Sequence, residues 1–261
     1  MPHALQTISG FVSPGAAATA VVVPAAGDTF QVPSFDLSSK ARILNVYASG
    51  ALTDFIRIRS PRMHDANQGM RLQVGATKQR GLLPTWMSEV LYPSDSPIVE
   101  TDGTGVGVQA ILAQYEYDDL SGVQPSFASS ADVQGRILHI MGCEVDVTSG
   151  AIGQWGNGVA INANFDNFEA GALYALLGYT CNVPVHGIAI TGKDTGNLKV
   201  GGPGIADADD TASYFVSLSE DAGRPLIPVI QANNKASTLL QAVDIAAATA
   251  VHVSLILAQL G

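Results

Sequence analysis

The stretch Val106-Gly-Val-Gln-Ala-Ile-Leu-Ala-Gln114 returns at the end of the chain as Val251-His-Val-Ser-Leu-Ile-Leu-Ala-Gln259, with six of nine positions identical. Each copy alternates at its start and ends in a continuous apolar run, the pattern of a long strand that begins half exposed and finishes buried. A strand of that kind needs a sheet around it. Its recurrence points to one β-domain made twice, and further matches between the halves support this. Phe35-Asp36 meets Phe165-Asp166 at an offset of 130, and Phe55–Ile58 meets Gly187–Ile190 at 132. Met70, Leu72 and Val74 meet Tyr214, Val216 and Leu218 at 144, as Arg80–Pro84 meets Arg224–Pro228, and the closing strands match at 145. The offset only increases, and its large step falls in the polar segment Gly192–Asp210, where a longer, outward-facing loop is expected. Two copies do not make a solenoid, so each must be a self-sufficient domain.

This reading places a first domain over 1–120, a linker over 121–131 around Ser121-Gly-Val-Gln-Pro, and a second domain over 132–261. In the first domain, strands are expected at Leu5–Val12, Thr19–Val23, Thr29–Val32, Ala41–Ala48, Asp54–Ser60, Met70–Val74 and Gly105–Tyr117. Leu82–Met87 fits either a strand or a helical turn. About eight strands in 120 residues suit a sandwich. In the second domain, Leu239, Leu240, Val243 and Ala247 have helical spacing, so a short helix is expected within Ser237–Ala250.

Composition narrows the function. Apolar residues make up 47% and charged residues 14% of the chain, and mean hydropathy is +0.23. An exterior with so little charge suits coverage by partners, so an oligomer is expected. The net charge of −10 includes no Lys/Arg block of the kind that neutralises phosphates. Arg57, Arg59, Arg62, Arg71, Lys78 and Arg80 are read as solvated strand and loop charges, and no sequence-specific nucleic-acid binding is expected. The first residues show no signal peptide, and no apolar segment reaches the length of a membrane span.

The candidates for chemistry each have a plainer reading. Asp194-Thr195-Gly196 is the triplet of aspartic proteases, but its paired position in the first half lacks it, which favours a β-turn. His3, His64, His139, His186 and His252 are dispersed, without metal-ligand spacing. Asp207, Asp209 and Asp210 lack the glycine and terminal glutamate of a calcium loop. Gly103–Gly107 precedes a strand and has no following Lys-Ser/Thr, so it is no phosphate cradle. Cys143 and Cys181 read as buried free thiols, and Trp86 and Trp155 as core or interface anchors. No catalytic residue, cofactor site or metal site is assigned, and no enzymatic activity is expected.

The run Val23-Pro24-Ala-Ala-Gly27-Asp28-Thr29-Phe30-Gln31-Val32, followed by Arg42-Ile-Leu-Asn-Val46, is similar to the start of compact capsid proteins of corticovirus-type phages. Together with the duplication, the chain resembles the double jelly-roll major capsid proteins of tailless icosahedral viruses, a corticovirus/tectivirus-like lineage. The resemblance implies an all-β fold of two tandem eight-stranded jelly rolls and a homotrimer of pseudo-hexagonal outline that tiles a shell. It also implies other capsid proteins as partners, and a place in the virion after assembly in the host cytoplasm. Larger relatives carry a basic, amphipathic N-terminal segment that approaches an internal membrane; Met1–Gly10 here is short and has no Lys or Arg, so the resemblance leaves membrane contact open. Two other readings compete: a tandem jelly-roll protein that binds or hydrolyses glycans, and a viral spike or fibre component.

Overall fold

The computed structural model describes residues 3–12, 20–32, 40–50, 55–60, 69–73, 80–82, 91–93, 95, 97–101, 109–118, 126–164, 166–204 and 211–261. Its first half forms β1 (His3–Val12), β2 (Ala20–Val21), β3 (Val23–Pro24), β4 (Lys40–Gly50), β5 (Phe55–Arg59), β6 (Met70–Gln73), β7 (Arg80–Leu82), β8 (Ile98–Thr101) and β9 (Gln109–Asp118). These make a five-stranded sheet, β3-β1-β9-β4-β7, and a four-stranded sheet, β2-β8-β5-β6. The recurrent nonapeptide therefore lies in a central strand. β9 pairs antiparallel with β1 on one side and β4 on the other.

The second half continues with β10 (Phe127–Ala128), a helix α1 (Ser130–Gln134), β11 (Ile137–Thr148), β12 (Val159–Ala160), β13 (Leu173–Cys181), β14 (Val185–Thr191) and β15 (Val200–Gly204). A second helix, α2 (Tyr214–Ala222), leads to β16 (Ile227–Gln231), β17 (Leu239–Val243) and β18 (Ala250–Leu260). Its sheets run β10-β16-β13-β18-β11 and β12-β17-β14-β15. The order β11-β18-β13-β16 repeats β1-β9-β4-β7, and β12-β17-β14-β15 repeats β2-β8-β5-β6. With β2 and β3 counted as one strand that changes sheet, and the two-residue β10 counted as an addition at the edge of β16, each half is an eight-stranded jelly roll. The fold is thus all-β and built twice. Its cores are filled from alternate positions: Ile8, Ile43, Val46, Ile56, Ile58 and Ile111 in the first, Val145, Ile188, Leu240, Val253 and Leu255 in the second.

Several sequence expectations change. The two closing strands occupy corresponding places, but their matching residues do not face the same way. Ile111 pairs with Gly10, over which Val22 and Phe30 pack, so it points into the first core. Ile256 pairs with Gly142, between the inward-facing Leu255 and Leu257, and points outward, half-buried. The registers therefore differ by an odd number of residues, which reverses the faces. β9 tolerates this because it is buried on both sides.

The helix expected within Ser237–Ala250 is a strand, β17, whose Leu239–Val243 run pairs with β12 and β14. Leu239 and Leu240 point to opposite faces of β17 and Ala247 lies beyond the strand on an exposed turn, so the helical spacing is accidental. The helix instead occupies Tyr214–Ala222, where a strand equivalent to Met70–Val74 was expected. Tyr214, Phe215, Leu218 and Ser219 are buried at helical spacing, and Gly223 ends the helix in the left-handed region at φ 62°. The structural equivalent of β6 is β15.

Gly192–Asp210 is not a plain outward loop, because within it β15 is fully buried. Thr29–Val32 is not a strand: Thr29 Oγ1 accepts the Gln31 N–H and turns the chain, while Phe30 and Val32 fill the core. The end of the segment read as linker is held by pairing. Phe127–Ala128 joins β16, and Ser129 caps α1 through a reciprocal capping box with Asp132. Phe35-Asp36, Phe165 and most of Leu82–Met87 lie outside the described residues.

Before α2, the backbone passes so close to β13 that a Cβ on Gly178 would fall on the carbonyl oxygens of Thr211 and Ala212. Gly178→Ala is therefore expected to lower the unfolding free energy by about 1–3 kcal/mol, as overpacking does. Denaturant titration checks this.

Candidate functional site

The two jelly rolls meet along a buried seam. The outward face of the sheet containing β1, β9 and β4 lies against β14 and the unpaired edge of β15. Across that face Thr7, Gln114 and Asn45 stand side by side in register. Thr7 Oγ1 donates to the Gly201 carbonyl at 2.8 Å and accepts the Gly201 N–H at 2.9 Å, while Thr7 N donates to the Lys199 carbonyl. Gln114 Nε2 also donates to the Gly201 carbonyl. Gln114 Oε1 accepts from Asn45 Nδ2 and from the Tyr214 hydroxyl, which in turn lies 3.0 Å from that of Tyr47. Beside this network Leu112 reaches the space above Gly187, where its Cδ1 would stand 2.9 Å from an added Cβ.

Two ionic clusters flank the network. Asp28, almost fully buried, accepts from Ser9 N, from Trp155 Nε1 and from Lys199 Nζ, the last at 2.6 Å. Lys199 also lies over the Trp155 ring. At the other end, buried Glu116 lies 3.1 Å from Arg224 and 3.2 Å from His3. Both clusters join residues of the first half to residues of the second.

The outermost faces differ from the seam. On the second jelly roll, β11 is the terminal strand of its sheet. Among the described residues the exposed large apolar side chains include Ile137, Leu138 and Ile140, the last two 64% and 60% exposed. Glu144 and Asp146 follow on the same outward face, their side chains 65% and 69% exposed. His252 of β18 bridges them, with Nδ1 2.7 Å from Asp146 and Nε2 3.6 Å from Glu144. The hydrogen bond to Asp146 raises the His252 pKa above its ordinary value against a smaller effect of burial. Asp146 is lowered by the bonds from His252 and Asn164.

On the first jelly roll, Arg57 and Arg59 both grip Glu100, at 2.6 and 2.8 Å. Burial would raise the Glu100 carboxyl, but the bonds from Arg59 and Arg57 outweigh it and hold the pKa low.

The residues singled out from sequence do not converge on a reaction centre. Asp194 is buried and accepts from Gln231 N and Asn234 Nδ2, while Thr195 Oγ1 ties the ends of its turn. The triplet is a structural knot in a 3-10 turn. Trp155 anchors the seam. Cys143 and Cys181 are buried and not joined in a disulfide, and burial pushes the Cys143 thiol up to about 11. His139 lies on the β11 edge and His186 is buried. His64, Trp86, Gly103–Gly107 and the Asp207–Asp210 cluster lie outside the described residues. Among the described residues no group of three or more His, Cys, Asp or Glu side chains could hold a metal ion, and no helix is long and apolar enough to cross a membrane. Sequence reasoning missed the seam, because its members are ordinary polar residues scattered from Thr7 to Arg224.

No family model matches the chain, and no curated protein matches it. Among solved structures, it is similar to a chain from the atomic structure of Sulfolobus Turreted Icosahedral Virus at 9% identity and a TM-score of 0.22, covering 100% of this chain and 91% of that one. It is also similar to the major capsid protein P2 from Bacteriophage PM2, again at 9% identity and a TM-score of 0.22, covering 99% and 98%. A third similarity is to an archaeal virus structure described by a triple jelly roll fold and turret assembly, at 8% identity and a TM-score of 0.23, covering 100% and 79%. The jelly-roll assignment rests on the strand order above.

Two measurements test the geometry. Lys199→Met leaves buried Asp28 without its cation, and breaking a buried pair in this way costs about 3–5 kcal/mol, read by chemical denaturation. His252 binds its proton more tightly folded than unfolded. Its contribution is therefore full below the ordinary histidine pKa and is lost as pH rises through the folded value. Asp146 has the opposite sign: its contribution is present above the ordinary carboxylate range and is lost as pH falls through its lowered value. The stability difference between the wild type and His252→Gln should thus shrink as pH rises from about 5 to about 9. Denaturant midpoints across that range measure it.

Proposed function

We propose that this chain is a structural virion protein, a major capsid subunit that self-assembles into an icosahedral shell and has no active site. The observation that carries this is the twice-built jelly roll, locked by a buried seam yet exposing apolar and acidic side chains on the outward face of β11. Large exposed apolar side chains beside a terminal strand suit a surface covered by a partner.

The finer reading is a homotrimer. The seam is a heterologous contact, in which the five-stranded sheet of one jelly roll meets the four-stranded sheet of the next. Heterologous contacts close into rings when the rotation allows, and three chains with two jelly rolls each supply six similar units for a pseudo-hexagonal tile. The residues divide into a first jelly roll over 1–120, a connection over 121–131 and a second jelly roll over 132–261. Further partners are penton or minor capsid proteins, the location is the virion, and assembly takes place in the host cytoplasm.

Size-exclusion chromatography with light scattering tests the proposal. A subunit of 27.0 kDa is expected to elute at three times that mass or more under native conditions. A stable monomer that does not associate at any concentration contradicts it.

A further inference from the structure

We infer that Asn157 is a self-modification site, at which the Asn157-Gly158 pair closes to a succinimide and reopens as aspartate and isoaspartate without an enzyme.

The pair is held at both ends. Before it, Gly156 N donates to the Ala242 carbonyl and the Gly156 carbonyl accepts from Gln241 Nε2, both at 2.8 Å. After it, Val159 and Ala160 pair with Leu240 and Leu239. Between these anchors Asn157 is exposed and lies outside any helix or strand. Neither its side chain nor the Gly158 N–H makes a hydrogen bond among the described residues. A side-chain amide open to water thus stands next to a backbone nitrogen whose proton no acceptor holds.

The fold also fixes glycine as the following residue. A Cβ on Gly158 would stand 2.8 Å from the Leu239 Cβ, so no other side chain fits there without displacing β17. This matters to the chemistry. A side chain at that position would crowd the attacking nitrogen and restrict the rotation that brings it to Cγ, and glycine does neither. Nucleophile and amide are already joined in one short ring-forming segment, which removes the entropy cost of their meeting. No other Asn-Gly pair occurs in the sequence. Other asparagines are held or hindered: Asn45, Asn164 and Asn234 donate to Gln114, Asp146 and Asp194, and Asn197 precedes Leu198.

In the reaction, Gly158 N bonds to Asn157 Cγ while the Cγ–Nδ2 bond breaks, and Nδ2 leaves as ammonia with the proton from Gly158 N. Water then adds to either carbonyl of the ring. Opening at Cγ gives aspartate. Opening at the former backbone carbonyl gives isoaspartate, whose main chain runs through Cβ and Cγ. The only other reactant is water, which reaches the exposed residue. Both products add a negative charge. Isoaspartate also lengthens the backbone between two anchors that sit in register on β17, and so works against that register. Trp155, whose indole holds Asp28 at the seam, lies just before the lengthened stretch.

The test follows the full chain by peptide mapping during incubation at mildly acidic and mildly alkaline pH, with a Trp155–Ala160 peptide as reference and isoaspartyl methyltransferase to count isoaspartate. Position 157 is expected to convert within a few-fold of the peptide's rate and several-fold faster than any other asparagine. The rate should rise with pH, because the attacking nitrogen must lose its proton. Asn157→Gln, which would need a larger ring, is expected to remove the signal and to keep the wild-type circular dichroism. The converted chain, separated by anion exchange, is expected to unfold at a lower denaturant concentration than Asn157→Gln. Native Asn157 surviving where the peptide converts, or another asparagine converting first, overturns the site. A converted chain as stable as Asn157→Gln overturns its coupling to β17.

Discussion

The reciprocal pair of hydrogen bonds between Thr7 and Gly201 holds the architecture at its centre. Thr7 sits mid-strand on a sheet face that a lone jelly roll would expose to water. Once the second jelly roll covers it, the hydroxyl and both polar groups of Gly201 lose solvent, and each unmet partner would cost about 1–3 kcal/mol. Gln114, Asn45, Tyr214 and Tyr47 extend the same requirement across three strands and the start of α2. A slip of the two halves by one residue would strand these groups and separate Asp28 from Lys199. The network sets the relative placement of the jelly rolls, and the apolar contact of Leu112 with Gly187 supplies area without direction.

Two-sided burial explains what could and could not be read from the sequence. The duplication, the central strands and the all-β class were legible because strands with one solvated face alternate. The register of the closing strands was not. Covered by the core on one side and the seam on the other, β9 is buried from Ala110 to Tyr117, and its seam face mixes Ala110 and Leu112 with Gln114 and Glu116, so Ile111 and Ile256 could match by letter while facing opposite ways. The error at Tyr214–Leu218 came from reading Tyr214, Val216 and Leu218 as alternation, whereas the adjacent Tyr214 and Phe215 both pack on Tyr179 from one side of a helix. The seam itself had no sequence signal: Thr7, Asn45 and Gln114 look like solvated strand positions until a second domain lies over them. The acidic face was visible as residues but not as a face, since it needs the pairing of Asp146 with His252 across β11 and β18.

The duplicated halves have diverged where their neighbours differ. On β14 the seam side is small, with Gly187 against Leu112, while the flanks of the seam carry the Asp28–Lys199 and Glu116–Arg224 pairs. The strand of the first jelly roll that corresponds to β14 carries Arg57 and Arg59, which grip Glu100, and β11 carries Glu144 and Asp146 beside His252. A permanent contact can lean on close packing, while a contact between separately made chains gains from long-range charge.

The most direct test is negative-stain electron microscopy of the purified full-length protein at assembly concentration. The account predicts class averages with six similar lobes around one axis, two from each of three chains. Isolated two-lobed particles at every concentration, or rings whose lobes number other than six, would contradict it.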